Sequence, residues 1–173
     1  MNKTYQTENC RSFLVNGLPE PLTPASRHLQ IFDNYIENTR LRLRTIRVPE
    51  DKSWEWILEQ RIFENGASVG VLSISRIFLS ETEHQVFEVF EGREIRKNRY
   101  FFKSHDLHLE FDVYLGKLWG LNIMNVRSER PLEIQDPKVD DLIVKEVTDI
   151  DFFTGEILVG KTFEDVQNKF QEL

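Results

Sequence analysis

The segment Asp106-Leu107-His108-Leu109-Glu110-Phe111-Asp112-Val113-Tyr114-Leu115 gives the clearest indication of the fold. Apolar residues occupy every second position from Leu107 to Leu115, and more polar residues occupy the positions between them. Successive side chains in a strand point to opposite faces, so this alternation predicts a β-strand with one buried face and one polar face.

The same period of two recurs on both sides of this segment. Further strands are predicted at Arg40–Arg44, Trp54–Leu58, Val69–Leu79, Arg93–Phe102 and Trp119–Arg127. Glu64-Asn65-Gly66 predicts a tight hairpin turn, because Asn-Gly accepts the positive φ angles of a type I′ turn. With about seven or eight strands in total, the sequence indicates a sheet-dominated fold.

Helix signals are fewer than strand signals. Ser80 with Glu83 three residues later has the spacing of a capping box, and Thr162 can cap a helix near the end of the chain. Asp136-Pro137 can begin another helix. A short helix is also predicted at Thr23–Leu29, after a Pro-rich loop. Together with the strands, these helices predict an α+β architecture.

Composition limits the class of protein. The chain has 173 residues, which fits a single domain over residues 1–173. A net charge of -7 argues against general nucleic-acid binding, which needs a basic surface. One cysteine allows no internal disulfide, and no apolar run approaches the roughly 20 residues of a membrane span. We therefore expect a soluble cytoplasmic protein without a membrane partner.

Two predicted strands present cations on one face. Arg42 and Arg44, with Arg40 before them, form the first set, and Lys97 and Arg99 form the second. Cations spaced along a rigid strand can contact several phosphate oxygens at once, and arginine does so with two nitrogens. Lys103 extends the second set. The two strands together predict a site for an anion with several phosphate groups.

A third strand presents carboxylates. Glu110 and Asp112 lie two positions apart on its polar face, so their Cα atoms are about 7 Å apart. That separation allows both side chains to contact one hard cation such as Mg²⁺. Cations for phosphate and carboxylates for a metal together predict a metal-assisted polyphosphate site. Alternating charges on a strand more often mark a solvent-exposed sheet face, so this second interpretation stays open at this point.

Several short motifs, in the same order along the chain, resemble the CYTH domain of the triphosphate tunnel superfamily. That superfamily includes class IV adenylate cyclases and thiamine triphosphatases. The matching stretches are Glu8–Val15, Asn34-Tyr35-Ile36 followed by Arg42-Leu43-Arg44, Lys97-Asn98-Arg99-Tyr100, and Leu109–Tyr114 with Gly116.

The resemblance implies an eight-stranded antiparallel β-barrel with flanking helices, which encloses a small polyphosphate-bearing ligand. On this basis the candidate phosphate ligands are Arg42, Arg44, Lys97 and Arg99. The candidate ligands for Mg²⁺ or Mn²⁺ are Glu8, Glu110 and Asp112. The implied activities are a metal-dependent triphosphatase or an adenylate cyclase-like reaction, and no individual catalytic residue is identified.

The sequence departs from the family pattern where that pattern has acidic or basic residues. Cys10 and Asn125 replace carboxylates, Arg127 reverses a charge, and Ser12 replaces a lysine. These changes weaken the predicted metal site more than the predicted phosphate site. They favour a second hypothesis, a catalytically inactive protein that binds an anion or a nucleotide. A third hypothesis is a structural or interaction domain without a ligand. Separately, the exposed strand edges of an incompletely closed barrel would allow a homodimer.

Overall fold

The computed structural model describes residues 6–63, 71–90, 92–105, 107–127 and 137–173. Within these ranges, nine strands form one antiparallel sheet: β1 (Gln6–Val15), β2 (His28–Ile36), β3 (Leu41–Val48), β4 (Ser53–Phe63), β5 (Val71–Leu79), β6 (Gly92–Ser104), β7 (Leu107–Tyr114), β8 (Asn122–Arg127) and β9 (Ile143–Glu146). Four short helices accompany them: α1 (Glu81–Phe87), α2 (Pro137–Asp140), α3 (Gly155–Leu158) and α4 (Phe163–Gln171). The predicted α+β class and antiparallel sheet are confirmed.

The order of strands in the sheet is β5-β4-β3-β2-β6-β7-β8-β1-β9. This order places β2 between the two strands that carry the predicted cations, β3 and β6. Strand β1 has neighbours on both sides, since Cys10–Leu14 pairs with β8 and Gln6–Asn9 pairs with β5. The sheet has nine strands rather than the predicted eight, because Ile143–Glu146 also pairs with β1. Closure into a barrel stays a prediction.

Two helix starts agree with their sequence signals. The Ser80 hydroxyl accepts a hydrogen bond from the Glu83 backbone N–H, and the Glu83 carboxylate accepts one from the Ser80 backbone N–H. Thr162 and Asp165 make the same reciprocal pair at the start of α4. None of the helices in the described ranges has the length and hydrophobicity needed to cross a membrane.

Of two further local predictions, one is wrong and the other lies outside the described residues. The short helix predicted at Thr23–Leu29 is wrong, because His28 and Leu29 already belong to β2 and pair with Tyr100 and Arg99 of β6. Long-range strand pairing therefore overrides the local helix signal there. The predicted hairpin turn at Glu64–Gly66 lies outside the described residues, although β4 and β5 on either side of it do pair antiparallel.

Apolar side chains are buried on both faces of the sheet. One cluster lies on one face of β1, β6, β7 and β8 and includes Leu14, Ile95 and Ile123. These side chains pack with the C-terminal residues Phe153 and Leu158. The other cluster lies on the opposite face of the same four strands, where the most buried members are Leu109, Met124, Val126 and Val139. The two clusters cover both faces of these four strands. Strand β7 therefore has buried residues on both faces, and not the simple alternation of a strand with one exposed face.

The turn between β7 and β8 depends on a glycine with positive φ. Gly120 has φ 108°, and a Cβ atom there would lie 2.8 Å from the Phe163 ring of α4. We expect Gly120→Ala to lower the free energy of unfolding by about 1–3 kcal/mol, because it combines backbone strain with a steric clash.

Urea denaturation would measure this change, with Gly17→Ala as the matched control. A Cβ atom at Gly17 would have no atom within 4 Å, so we expect a change within about 0.5 kcal/mol. Equal effects of the two substitutions would contradict the proposed contact between this turn and α4.

Candidate functional site

A group of charged side chains is buried on one face of the sheet. All four predicted phosphate ligands belong to it, and none is more than 7% exposed. Three carboxylates, each 1% exposed, lie among them: Asp33, Glu59 and Asp112. For these strands the interpretation as a solvent-exposed sheet face is therefore wrong.

Strand register explains why these side chains meet. Asp33 in β2 lies opposite Arg44 in β3, and Arg42 lies opposite Glu59 in β4. On the other side of β2, Arg99 in β6 lies opposite Asp112 in β7. Directly opposed residues of an antiparallel pair point to the same face, so each of these pairs brings opposite charges together.

Asp33 contacts cations from both neighbouring strands. Its Oδ1 accepts a hydrogen bond from Arg44 Nε at 2.6 Å, and its Oδ2 accepts one from Arg44 Nη2 at 2.7 Å. Arg42 Nη1 donates to Oδ2 at 3.4 Å, and Lys97 Nζ lies 3.9 Å from the same oxygen. Burial alone would raise the pKa of Asp33, but the charges of Arg42 and Arg44 outweigh burial and hold the pKa well below its usual range.

Glu59 is hydrogen-bonded to Arg42 and Arg76, and Arg44 Nη1 lies 4.0 Å from its Oε1. Its Oε2 accepts hydrogen bonds from Arg42 Nε, at 3.0 Å, and from Arg42 Nη2, while its Oε1 accepts one from Arg76 Nε at 2.9 Å. Burial opposes ionisation of Glu59, but Arg42 and Arg44 outweigh it and lower the pKa from 4.5 to about 2. Glu59 is therefore an anion at neutral pH.

Asp112 bridges the two predicted cations of β6. Arg99 donates from Nε to Oδ1 at 2.6 Å and from Nη2 to Oδ2 at 2.7 Å, and Lys97 Nζ donates to Oδ2, also at 2.7 Å. Arg99 and Lys97 lower the pKa of Asp112 well below its usual range despite complete burial. Burial lowers the pKa of Lys97 to about 8, although Asp112 opposes that shift.

Three of the positions that depart from the family pattern contact Glu110, Asp112 or each other: Arg127, Asn125 and Ser12. Arg127 Nη2 is 3.3 Å from Glu110 Oε2, and Arg99 Nη1 is 2.5 Å from the same oxygen. Asn125 donates to Asp112 Oδ2 at 3.3 Å and accepts from Ser12 Oγ at 2.9 Å. An amide, a hydroxyl and a guanidinium therefore form hydrogen bonds and an ion pair where the family pattern has carboxylates and a lysine.

The described side chains of Glu110 and Asp112 are poorly suited to a resident divalent cation. Both oxygens of Asp112 and one oxygen of Glu110 are engaged by Lys97, Arg99 or Arg127, whose positive charges would repel a metal ion. No group of three or more His, Cys, Asp or Glu side chains suited to a metal occurs in the ranges that the structure describes. The backbone of Glu8 pairs with Leu72 in β5, but its side chain lies outside the described part of the molecule. The metal-ligand role of Glu8, Glu110 and Asp112 stays a prediction.

The sequence interpretation missed the two carboxylates that organise this group. Asp33 lies between Ile31 and Tyr35 in a period of two, so a strand at His28–Ile36 would have placed all three side chains on one face. Glu59 lies in β4 on the face opposite to Trp54, Trp56 and Leu58, so the alternation there gave no signal of burial. Arg40 and Lys103, in contrast, are exposed and do not join the buried group.

The chain has a CYTH-like fold. Two solved structures of a protein designated NE1496 are similar to it. One, described as a hypothetical protein, is 21% identical with a TM-score of 0.58 and covers 90% of this chain and 99% of its own. The other, described as an inorganic triphosphatase, is 21% identical with a TM-score of 0.57 and covers 88% of this chain and 93% of its own.

A third similar structure is that of HpAC1 from Hippeastrum, described as having a dominant triphosphatase activity. It is 14% identical with a TM-score of 0.41 and covers 72% of this chain and 80% of its own. No protein-family profile and no curated protein matches the sequence. At 21% identity, the likeness to the two NE1496 structures shows the fold alone.

The low pKa of Glu59 predicts a specific loss of stability in acid. A carboxylate whose folded pKa is depressed stabilises the protein fully above its unfolded pKa and loses that contribution as pH falls through the folded pKa. For Glu59 this interval runs from 4.5 down to about 2 and corresponds to about 3 kcal/mol. We expect Glu59→Gln to be less stable than the wild type at neutral pH, and the difference to shrink across this interval.

Urea denaturation at a series of pH values would measure the effect. Glu55→Gln is the matched control, because Glu55 lies in the same strand but is exposed. Its stability curve should run parallel to that of the wild type. A parallel curve for Glu59→Gln would contradict the buried ion pairs described above.

Proposed function

We propose that this protein binds a triphosphate, or another anion that bears a polyphosphate, through Arg42, Arg44, Lys97 and Arg99. The observation that carries the proposal is the convergence of three of these cations on one carboxylate, that of Asp33. Guanidinium groups bind phosphate with the same planar pair of N–H donors that they present to a carboxylate. The site therefore already presents oxyanion-binding donors in a buried environment, where such contacts are stronger than in water.

We further propose that the strands enclose the anion as an eight-stranded barrel. The pairing of β1 with both β8 and β5 supports this, since the order β1-β8-β7-β6-β2-β3-β4-β5 then returns to β1. An enclosed site would explain how so many charged side chains remain shielded from water on one face of a sheet. In this arrangement β9 is a ninth strand outside the ring.

Metal-dependent hydrolysis of a triphosphate is the second candidate function. It is favoured by the likeness to a protein described as an inorganic triphosphatase. Against it stand the cations that already engage Glu110 and Asp112, together with Asn125 and Arg127 in place of carboxylates. A bound Mg²⁺ or Mn²⁺ would neutralise negative charge on the phosphates. The carboxylates that remain would hold such an ion weakly. Anion binding without turnover is therefore the function that the site supports best.

Inorganic tripolyphosphate should stabilise the protein against heat. A ligand that binds only the folded state raises the free energy of unfolding in proportion to the logarithm of its concentration above the dissociation constant. We expect Arg44→Gln to weaken binding about tenfold or more, since it removes two buried N–H donors, whereas exposed Arg40→Gln should leave binding nearly unchanged.

Thermal melting and titration calorimetry would measure these effects, with circular dichroism to check that each variant is folded. Equal affinity of Arg44→Gln and Arg40→Gln for tripolyphosphate would show that the anion does not bind at the buried group. An absence of stabilisation by tripolyphosphate in the wild type would contradict the proposed function.

The two candidate functions differ in phosphate release. We expect no release from tripolyphosphate or ATP in the presence of Mg²⁺ or Mn²⁺, because the candidate metal carboxylates are already paired with cations. A colorimetric phosphate assay would measure it. Metal-dependent turnover that disappears in Asp112→Asn would instead establish the hydrolase.

A further inference from the structure

Asp33 occupies the point at which cations from two strands converge. Arg42 and Arg44 reach it from β3, and Lys97 reaches it from β6. A carboxylate presents two oxygens in one plane to a guanidinium group, as a phosphate does. The Asp33 carboxylate therefore stands where an oxygen-bearing edge of a bound anion would make its contacts.

Five of the six guanidinium nitrogens of Arg42 and Arg44 already donate to resident carboxylates, and the sixth, Arg44 Nη1, lies 4.0 Å from Glu59 Oε1. Arg44 directs Nε and Nη2 at Asp33, while Arg42 directs Nε and Nη2 at Glu59 and Nη1 at Asp33. A phosphate group that bound in the same plane would need the same nitrogens. An incoming anion must therefore compete with Asp33 for its contacts.

Asp33 differs from the other two buried carboxylates in the partners that it would retain after an anion binds. Among the described residues, all its ion-pair partners are candidate phosphate ligands. Glu59 would retain Arg76 from β5, and Asp112 would retain the amide of Asn125. Displacement by an anion would thus leave Asp33 with the least compensation of the three.

A displaced Asp33 carboxylate would be unstable as an anion. The charged and titratable groups that interact with it are Arg42 and Arg44 from β3, Lys97 and Arg99 from β6, and Tyr114 from β7. Tyr35 of its own strand and Glu59 of β4 share Arg42 with it. Once the cations turn to a phosphate, burial and the negative charge of that phosphate both favour the neutral carboxyl group. Its side chain is only 1% exposed, so bulk water does not solvate it in place of the cations.

We propose that Asp33 is a resident counter-ion of this site, which a polyphosphate anion displaces and which then takes up a proton from solvent. The inference rests on the proposed anion binding and adds to it a coupling between anion and proton. In the free protein the carboxylate accepts both hydrogen bonds of Arg44 and adds a second anionic partner to Arg42 and Lys97, which also contact Glu59 and Asp112. In the complex the phosphate neutralises them, and the proton neutralises Asp33.

The experiment is titration calorimetry with inorganic tripolyphosphate in two buffers of different ionisation enthalpy. The difference in apparent binding enthalpy gives the number of protons taken up per anion. We expect the wild type to take up close to one proton more than Asp33→Asn, which is neutral at this position in both states. Comparison of the two proteins cancels the protons that tripolyphosphate itself exchanges.

Affinity gives an independent readout. At about pH 7, Asp33→Asn should bind tripolyphosphate about tenfold more tightly than the wild type, because no charged competitor remains. The advantage should shrink as the pH is lowered, since the wild-type carboxyl then takes up its proton more easily. Exposed Glu55→Gln in β4 is the charge-matched control and should behave as the wild type.

The outcomes separate the two proposals. Anion binding with equal affinity and equal proton uptake in wild type and Asp33→Asn would overturn the role of Asp33 and leave the anion site in place. No binding heat and no thermal stabilisation in any of these proteins would mean that the proposed function itself fails. If Asp33→Asn does not fold, a wild-type proton number no larger than that expected from tripolyphosphate alone overturns the coupling.

Discussion

The buried charge of Asp33 is the constraint on which the arrangement of this site depends. A buried carboxylate is stable only with cationic partners, and removing one partner of such a pair typically costs about 3–5 kcal/mol. Asp33 has those partners only because β2 lies between β3 and β6. A shift of one residue in the register of β2 would move Asp33 to the opposite face and leave Arg44 unpaired, so the ion pairs specify the register as well as filling the interior.

The ion pairs and one apolar cluster share the same face of the sheet. Ile123 lies directly opposite Asp112, and Ile95 lies opposite Asp33, so apolar side chains begin where the charged ones end. The C-terminal residues Phe153 and Leu158 complete that cluster. A low-polarity surrounding strengthens each ion pair and raises the cost of any unpaired charge. The same packing that stabilises the fold would therefore make the proposed site selective for the anion that it exchanges.

The departures from the family pattern have a consistent physical effect. Arg127 adds a cation beside Glu110, and Asn125 contributes an amide that neither repels nor requires a cation. These changes replace the attraction for a divalent metal with hydrogen bonds and ion pairs among the protein's own side chains. Arg42, Arg44, Lys97 and Arg99 keep their guanidinium and ammonium groups in the buried face. The result is a group of buried cations paired with carboxylates of the same chain, within a fold similar to that of a protein described as an inorganic triphosphatase.

Alternation of residue types determined which side chains share a face, because the period of a strand is a local property. The sequence alone therefore assigned three pairs to common faces: Glu110 with Asp112, Arg42 with Arg44, and Lys97 with Arg99. Capping at Ser80 and Thr162 could be predicted for the same reason. Which strands are neighbours, and whether a charged face is wet or buried, depends on contacts between residues far apart in the chain. The pairing of β2 with β6 overrode the helix signal at Thr23–Leu29, and it alone placed Asp33 between two sets of cations. Only the tertiary structure could show that the predicted phosphate ligands already hold carboxylates of the same chain.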